Sequence, residues 1–187
     1  MADSLDAPPQ GRGSDGRTLP TIGWREWIAL PDLGIKGIKA KVDTGARTST
    51  LHAYGVRVEE QDGVQIVHFR VYPVQRQRRG AIRVSAPLVG WKHVRSSSGH
   101  RTRRPVIHTT LEWMGDSWPI EITLSNRDEM GFRMLLGRQA VRRHAVVDPS
   151  RSFLDPRHRA LARLNAAHIR SSRKQKTIQT SPIQTSP

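Results

Sequence analysis

The stretch IKGIKAKVDTGA, residues Ile35 to Ala46, decides how the chain is read. From Ile35 to Val42 apolar and basic residues alternate, the pattern of a strand with one face buried. The run ends on Asp43, followed at once by Thr44, Gly45 and Ala46. A carboxylate fixed at a strand end and followed by glycine suits a site in which two backbones approach closely, because glycine has no Cβ to keep them apart. Two carboxylates a hydrogen bond apart share one proton, so that one takes a proton from water while the other donates to a carbonyl. A threonine hydroxyl beside the acid is placed to bond across to the second loop. The sequence holds a single Asp-Thr-Gly, so a two-carboxylate site requires a symmetric dimer. Asp-x-Gly also occurs as a solvated turn after an edge strand, and the tetrapeptide alone does not separate the two readings.

Outward from this turn the chain alternates short apolar runs with turn residues. Trp24 to Leu30 is strand-like and stops at Pro31-Asp32 and Gly34. Val56 to Val58 and Val64 to Val71 flank Asp62-Gly63, and Pro105 to Met114 and Ser117 to Leu124 flank Gly115-Asp116, two hairpin signals. Ile82 to Val89 predicts a further strand. Met134-Leu135-Leu136 predicts a short buried strand ending at Gly137-Arg138. One or two helical turns over Gln139 to Arg143 and a closing strand at Ala145 to Val147 complete the set. Short strands at regular spacing predict a mainly β protein whose sheet folds over or closes.

Three parts are expected. Residues 1–20, with clustered Pro and Gly and no apolar core, predict a disordered leader rather than a signal peptide. Residues 21–154 form the domain. Residues 155–187 predict a basic, low-complexity tail, with a short amphipathic helix around Ala160 to Ala167 and IQTSP written twice at its end. There are no cysteines, which excludes disulfides and thiolate metal sites and suits a cytoplasmic protein. No apolar run spans a bilayer, so no membrane partner is expected. With 31 Lys+Arg against 16 Asp+Glu the formal charge is +15, which favours anionic partners such as a ribosome, nucleic acid or an acidic polypeptide. An arginine-rich composition without a binding role gives the same balance.

Taken together, TIGWREWIALPDLGIKGIKAKVDTGARTSTLHA (Thr21 to Ala53), APLVGWKHVRSSSGHRTRRPVI (Ala86 to Ile107), WPIEITLSNRDEMGFRMLLGR (Trp118 to Arg138) and VDPSRSFL (Val147 to Leu154) resemble one family. They are similar to the retropepsin-like ATP-dependent zinc proteases, the RimB-type companions of ribosomal-protein glutamate ligase. The resemblance implies a retropepsin-like closed half-barrel of short antiparallel strands, with one short helix after Gly137-Arg138. It implies a homodimeric aspartic endopeptidase in which Asp43 is the catalytic carboxylate. Thr44, Gly45 and Ala46 become the dimer and active-site turn, and Gly137 and Arg138 its supporting loop. Where retroviral relatives place an acid two residues beyond the glycine, this chain has Arg47, so Arg138 needs another partner such as a backbone carbonyl. Arg47 beside the turn suggests an anionic substrate, an acidic or glutamate-modified polypeptide, or is simply a solvated arginine. Ser98, Gly99 and His100 lie in a polar stretch that suits a flap or substrate loop, or an ordinary exposed loop.

The residues do not support the zinc and ATP that the resemblance implies. None of the eight histidines has His-Glu-x-x-His spacing, and there is no Gly-x-x-x-x-Gly-Lys-Ser/Thr run to cradle phosphates. No metal and no cofactor are therefore expected. The alternative reading is a non-catalytic module of the same fold that docks on RNA, the ribosome or a partner enzyme through its basic surface.

Overall fold

The computed structural model describes residues 11–12, 16–75, 80–95, 101–126 and 131–167. The expected leader falls mostly outside these residues, as do Ser98, Gly99, His100 and the tail beyond residue 167.

A ribbon of β1 (Gly11–Arg12) and β2 (Thr18–Leu19) precedes β3 (Thr21–Gly23) and β4 (Arg25–Leu30). A 3-10 turn at Pro31–Leu33 leads into β5 (Ile35–Asp43) and then β6 (Ser49–His52). Next come β7 (Tyr54–Gln61), β8 (Val64–Val71) and β9 (Ile82–Pro87), which form a three-stranded antiparallel sheet. The chain continues through β10 (Gly90–Arg95), β11 (Arg101–Trp113), β12 (Asp116–Ser125) and β13 (Met134–Gly137) to helix α1 (Arg138–Val141) and β14 (Val146–Asp148). A second helix, α2, has its described part at 158–167. Among the described residues no helix is long and apolar enough to cross a membrane.

The protein is mainly β. The principal sheet runs β10-β11-β12-β6-β13-β5-β4, and its last strand touches β11 again at Ala29 and Glu112. Its inner face carries Ile28, Leu30, Ile38, Leu51, Ile107, Leu111, Ile122, Leu124 and Met134, all buried in one continuous core.

The closed half-barrel of short antiparallel strands needs two corrections. The sheet curls until its edge meets β11, but through one residue pair, so the ladder is not closed. Two of its pairings, β12 with β6 and β13 with β5, are parallel, and β11 runs for 13 residues. Parallel strands need long crossovers and carry no hairpin signal, which is why alternation alone did not distinguish them. Their consequence is functional. Because β5 and β13 run the same way, Asp43 and Gly137 are register partners at the same end of the sheet.

The Asp62-Gly63 hairpin has both residues at positive φ, 51° and 76°, as a two-residue primed turn requires. The second hairpin turns one residue earlier than the sequence suggests. Met114 (φ 53°) and Gly115 (φ 91°) occupy its corner, and Trp113 pairs with Asp116. A methionine in the left-handed region is unusual. Its N–H is held by the buried carboxylate of Asp155, 2.8 Å away, which fixes the corner there.

The segment from Arg151 to α2 packs against this body. Glu26, fully buried, accepts the N–H of Gly23 at 3.0 Å and of Leu154 at 2.8 Å through Oε1. Arg157 bonds Asp155 and reaches Glu112 at 2.8 Å. In α2, the Asn165 amide donates to the carbonyls of Gly37 (2.8 Å) and Pro73 (3.2 Å), and Leu161 is buried.

Candidate active site

Asp43 ends β5 half-buried, with Ala40 and Val42 below it in the core. Its Oδ1 accepts the N–H of Gly45 at 3.1 Å and of Ala46 at 3.2 Å, an Asx turn closed by the side chain on its own backbone. Among the described residues Oδ2 takes no hydrogen bond. The carboxylate is thus oriented through one oxygen while the other stays available. Thr44 and Gly45 are exposed at the tip of the turn, on the surface a second copy would need to meet.

The supporting loop is built by close backbone approach. A Cβ on Gly137 would lie 2.6 Å from the carbonyl carbon of Thr48 and 2.8 Å from the carbonyl oxygen of Arg47. No side chain fits there. The N–H of Gly137 donates to the buried hydroxyl of Ser49 at 3.1 Å. Gly137 also caps α1, whose first N–H groups turn back to the aspartate loop. Arg138 N bonds the carbonyl of Ala46 at 2.9 Å and Gln139 N that of Arg47 at 3.2 Å. The Arg138 guanidinium bonds the carbonyl of Gly45 at 3.1 Å. Arg138 is thus satisfied by backbone oxygen, as the presence of Arg47 in place of an acid led one to expect. The structure therefore brings Asp43, Thr44, Gly45, Ala46, Arg47, Gly137 and Arg138 together.

Two features of this region carry no sequence motif. Ser49 receives Gly137, and its own carbonyl receives the hydroxyl of Thr123 at 3.1 Å, locking β6 between its neighbours. Lys92 on β10 pairs with Glu121 and reaches the Thr48 hydroxyl at 3.4 Å, tying the β10–β11 hairpin to the turn. Neither is signalled locally, because the partners lie tens of residues apart in sequence.

A groove of about 610 Å³ opens beside the turn, lined by Thr44, Val141 and Ala145 with three cations, Arg47, Arg138 and Arg142. Among the described residues no acidic side chain lines it. Three guanidiniums around one groove can donate to anionic oxygens.

A zinc centre does not fit these residues. Among the described residues no three His, Cys, Asp or Glu side chains converge on a point. His93 pairs with Arg103, while His108 lies five residues further along β11. Strand alternation puts the two rings on opposite faces of the sheet.

The family model described as "Retropepsin-like aspartic endopeptidase RimB" matches residues 21–158. That match takes in Asp155 and Arg157, which hold the C-terminal segment to the body. Curated relatives carry the name "Probable alpha-L-glutamate ligase". The one from Shewanella pealeana is 44% identical over 132 residues, 71% of this chain and 29% of that protein. The one from Desulfotalea psychrophila is 45% identical over 129 residues, 69% of this chain and 28% of that protein. The chain thus spans under a third of the curated relatives it matches. A crystal structure of Lpg0085, a Legionella pneumophila protein of unknown function, aligns with a TM-score of 0.62 and 26% identity, covering 73% of this chain and 98% of that one. The chain belongs to the RimB-like family of retropepsin-like proteins.

Proposed function

We propose that this protein is an aspartic endopeptidase that works as a cytoplasmic homodimer, each subunit giving one Asp43. The observation that carries this reading is the geometry of Asp43. It stands at a strand end, held through one oxygen by Gly45 and Ala46, above the Gly137-Arg138 loop of a RimB-like chain.

In the dimer one Asp43 is ionised and its mate protonated, because two carboxylates this close do not both ionise. The ionised carboxylate takes a proton from water as its oxygen attacks the scissile carbonyl carbon. The protonated one gives its proton to the carbonyl oxygen, leaving a tetrahedral diol. Collapse of the diol breaks the C–N bond, and the amine leaves with the proton first taken from water. Thr44 and Gly45 make the contact across the two-fold axis, and Arg138 holds their carbonyls in place. Arg47, with Arg138 and Arg142 in the adjoining groove, favours an acidic or glutamate-modified polypeptide. The glutamate-ligase name of the relatives points to the same polymer chemistry.

The test is Asp43→Asn, assayed by mass spectrometry on a glutamate-rich peptide, with the dimer followed by sedimentation. Cleavage should fall at least about a thousandfold while the variant stays folded and dimeric. Undiminished turnover removes Asp43 from the chemistry.

A further inference from the structure

Between Gly63 and Leu111 the chain carries ten Lys and Arg residues and no Asp or Glu. Within this stretch β8 and β9 belong to the three-stranded sheet, separate from the one that carries Asp43, while the β10–β11 hairpin is part of the principal sheet. Val67, Phe69, Val71, Val84 and Ala86 face the core, so alternation sends His68, Arg70, Arg83 and Ser85 outward. On β7, Arg57 is the register partner of His68 and lies on the same outer face.

The outcome is an unusual cluster. Arg70 and Arg83 are direct cross-strand partners, and Arg57 is diagonal to Arg70. All three are exposed. Like charges directly opposite on a sheet destabilise it. None of the ion pairs among the described residues involves any of the three. Glu59, on this face, lies 3.7 Å from His68, a contact that is an ion pair when the imidazole is protonated, and makes none with the three arginines. The Arg70 guanidinium lies over Gly55, where a Cβ would come within 3.3 Å of it. The sheet thus bears an uncompensated repulsion on its outer face, with room kept for one of the side chains that causes it.

We propose that the outer face of β7, β8 and β9 is an RNA-binding surface, with Arg57, Arg70 and Arg83 on the phosphates. Guanidinium forks match phosphate oxygens bidentately, and their mutual repulsion is relieved when a polyanion binds. The choice of RNA over an acidic polypeptide rests on the next strand. Leu88 and Val89 carry β9 into β10, where Trp91 is 39% exposed and the Arg103 guanidinium lies 4.2 Å from its ring centroid. An exposed tryptophan beside arginine is a stacking platform for unpaired bases. This inference does not depend on the peptidase reading, since Asp43 is no part of the face.

The experiment measures binding of the full chain to a fluorescein-labelled single-stranded RNA of about 20 nucleotides across a salt series. Arg57→Gln, Arg70→Gln and Arg83→Gln together should weaken binding by roughly tenfold or more. They should also flatten the log–log salt slope by about 2, at about 0.7 per phosphate contact. Thermal stability should stay level or rise as the repulsion goes. Arg83→Gln alone should show the same signs at about a third of the slope change. A control with the same charge loss, Arg143→Gln, Arg159→Gln and Arg163→Gln, should bind within about threefold of the parent. Asp43→Asn should bind RNA unchanged whether or not it is active, and Trp91→Ala should weaken binding without altering the slope. Equal loss in the control, or parental binding by the triple variant, overturns the proposal. So does displacement of the RNA by poly-L-glutamate as effective as by unlabelled RNA, which reassigns the face to an acidic polypeptide.

Discussion

Two of the regions in which this protein holds a carboxylate with backbone amides do so in opposite ways. Asp43 is held by its own turn, through N–H groups two and three residues along, and it sits half-exposed at a sheet end. Glu26 and Asp155 are buried, and their donors include residues more than a hundred positions away, or 41 away for Met114. The first arrangement costs the fold little and leaves an oxygen open to chemistry. The second consumes its carboxylates to fasten the C-terminal segment. The difference separates an acid that can react from acids that can only hold.

The largest effect expected on stability comes from breaking the buried end. In Asp155→Ala the Met114 amide loses its acceptor and Arg157 keeps only Glu112. Hydrogen bonds to a charged acceptor are worth about 1.5–3 kcal/mol each, less for those from the partly exposed Arg157, and denaturant unfolding should register a loss of at least that order. A change under about 1 kcal/mol would mean that the segment after Arg151 docks without its carboxylate.

Next is Gly137→Ala, which attacks the scaffold of the open end. The added methyl meets the backbone of Arg47 and Thr48, neither of which can swing aside as a flexible side chain would. Overpacking of this kind costs about 1–3 kcal/mol. It should also displace the Asp43 turn, so peptide cleavage should fall along with stability.

The buried acids also differ from each other in their response to pH. Burial pushes the Glu26 carboxyl above its ordinary value, against hydrogen bonds from Leu154, Gly23 and Asp155. Burial pushes Asp155 the same way, but hydrogen bonds from the Arg157 side chain and backbone and from Met114 outweigh it, and the net is below the ordinary value. A raised carboxyl binds its proton more tightly in the folded state. The contribution of Glu26 is therefore fully present below the ordinary glutamate range and is lost as pH rises through its elevated value. The contribution of Asp155 is present above the ordinary aspartate range and is lost as pH falls through its depressed value. Glu26→Gln should remove the decline on the rising side and leave the acid-side loss intact, an effect smaller than that of Gly137→Ala. Unfolding midpoints of both proteins from acidic to neutral pH check this. An unchanged rising-side decline would assign it to another group.

The open end was far more legible in the sequence than the buried one, for a physical reason. Asp43 to Ala46 makes its hydrogen bonds within four residues, so the turn itself is legible locally. The tetrapeptide alone still leaves a solvated turn open, and the role of Gly137-Arg138 came from the family resemblance. The Asp62-Gly63 turn was legible in the same way. Glu26 and Asp155 carry no local signature, because their donors include groups supplied by chain folding from afar. The strand β6 was missed because Ser49, Thr50 and His52 are polar although every position is buried. The strand β10 was missed because its basic residues mask the alternation. The parallel pairing of β5 with β13 has no local signature, yet it is what brings Asp43 to Gly137.

The smallest effect on stability belongs to the residue with the largest expected effect on function. In Asp43→Asn the amide oxygen can still accept from Gly45 and Ala46, and no neighbouring charge is stranded by loss of the carboxylate. The bonds that shape the turn are made to the position of Oδ1, and asparagine is as able as aspartate to close an Asx turn. Unfolding should therefore move by less than about 0.5 kcal/mol, the range of surface substitutions. A loss as large as that of Asp155→Ala would show that Asp43 carries structural load like the buried acids. It would erase the contrast between the two regions, since the open oxygen of Asp43 would then have a partner in the folded state. A null effect on stability beside abolished cleavage is the outcome in which the open end exists for chemistry alone.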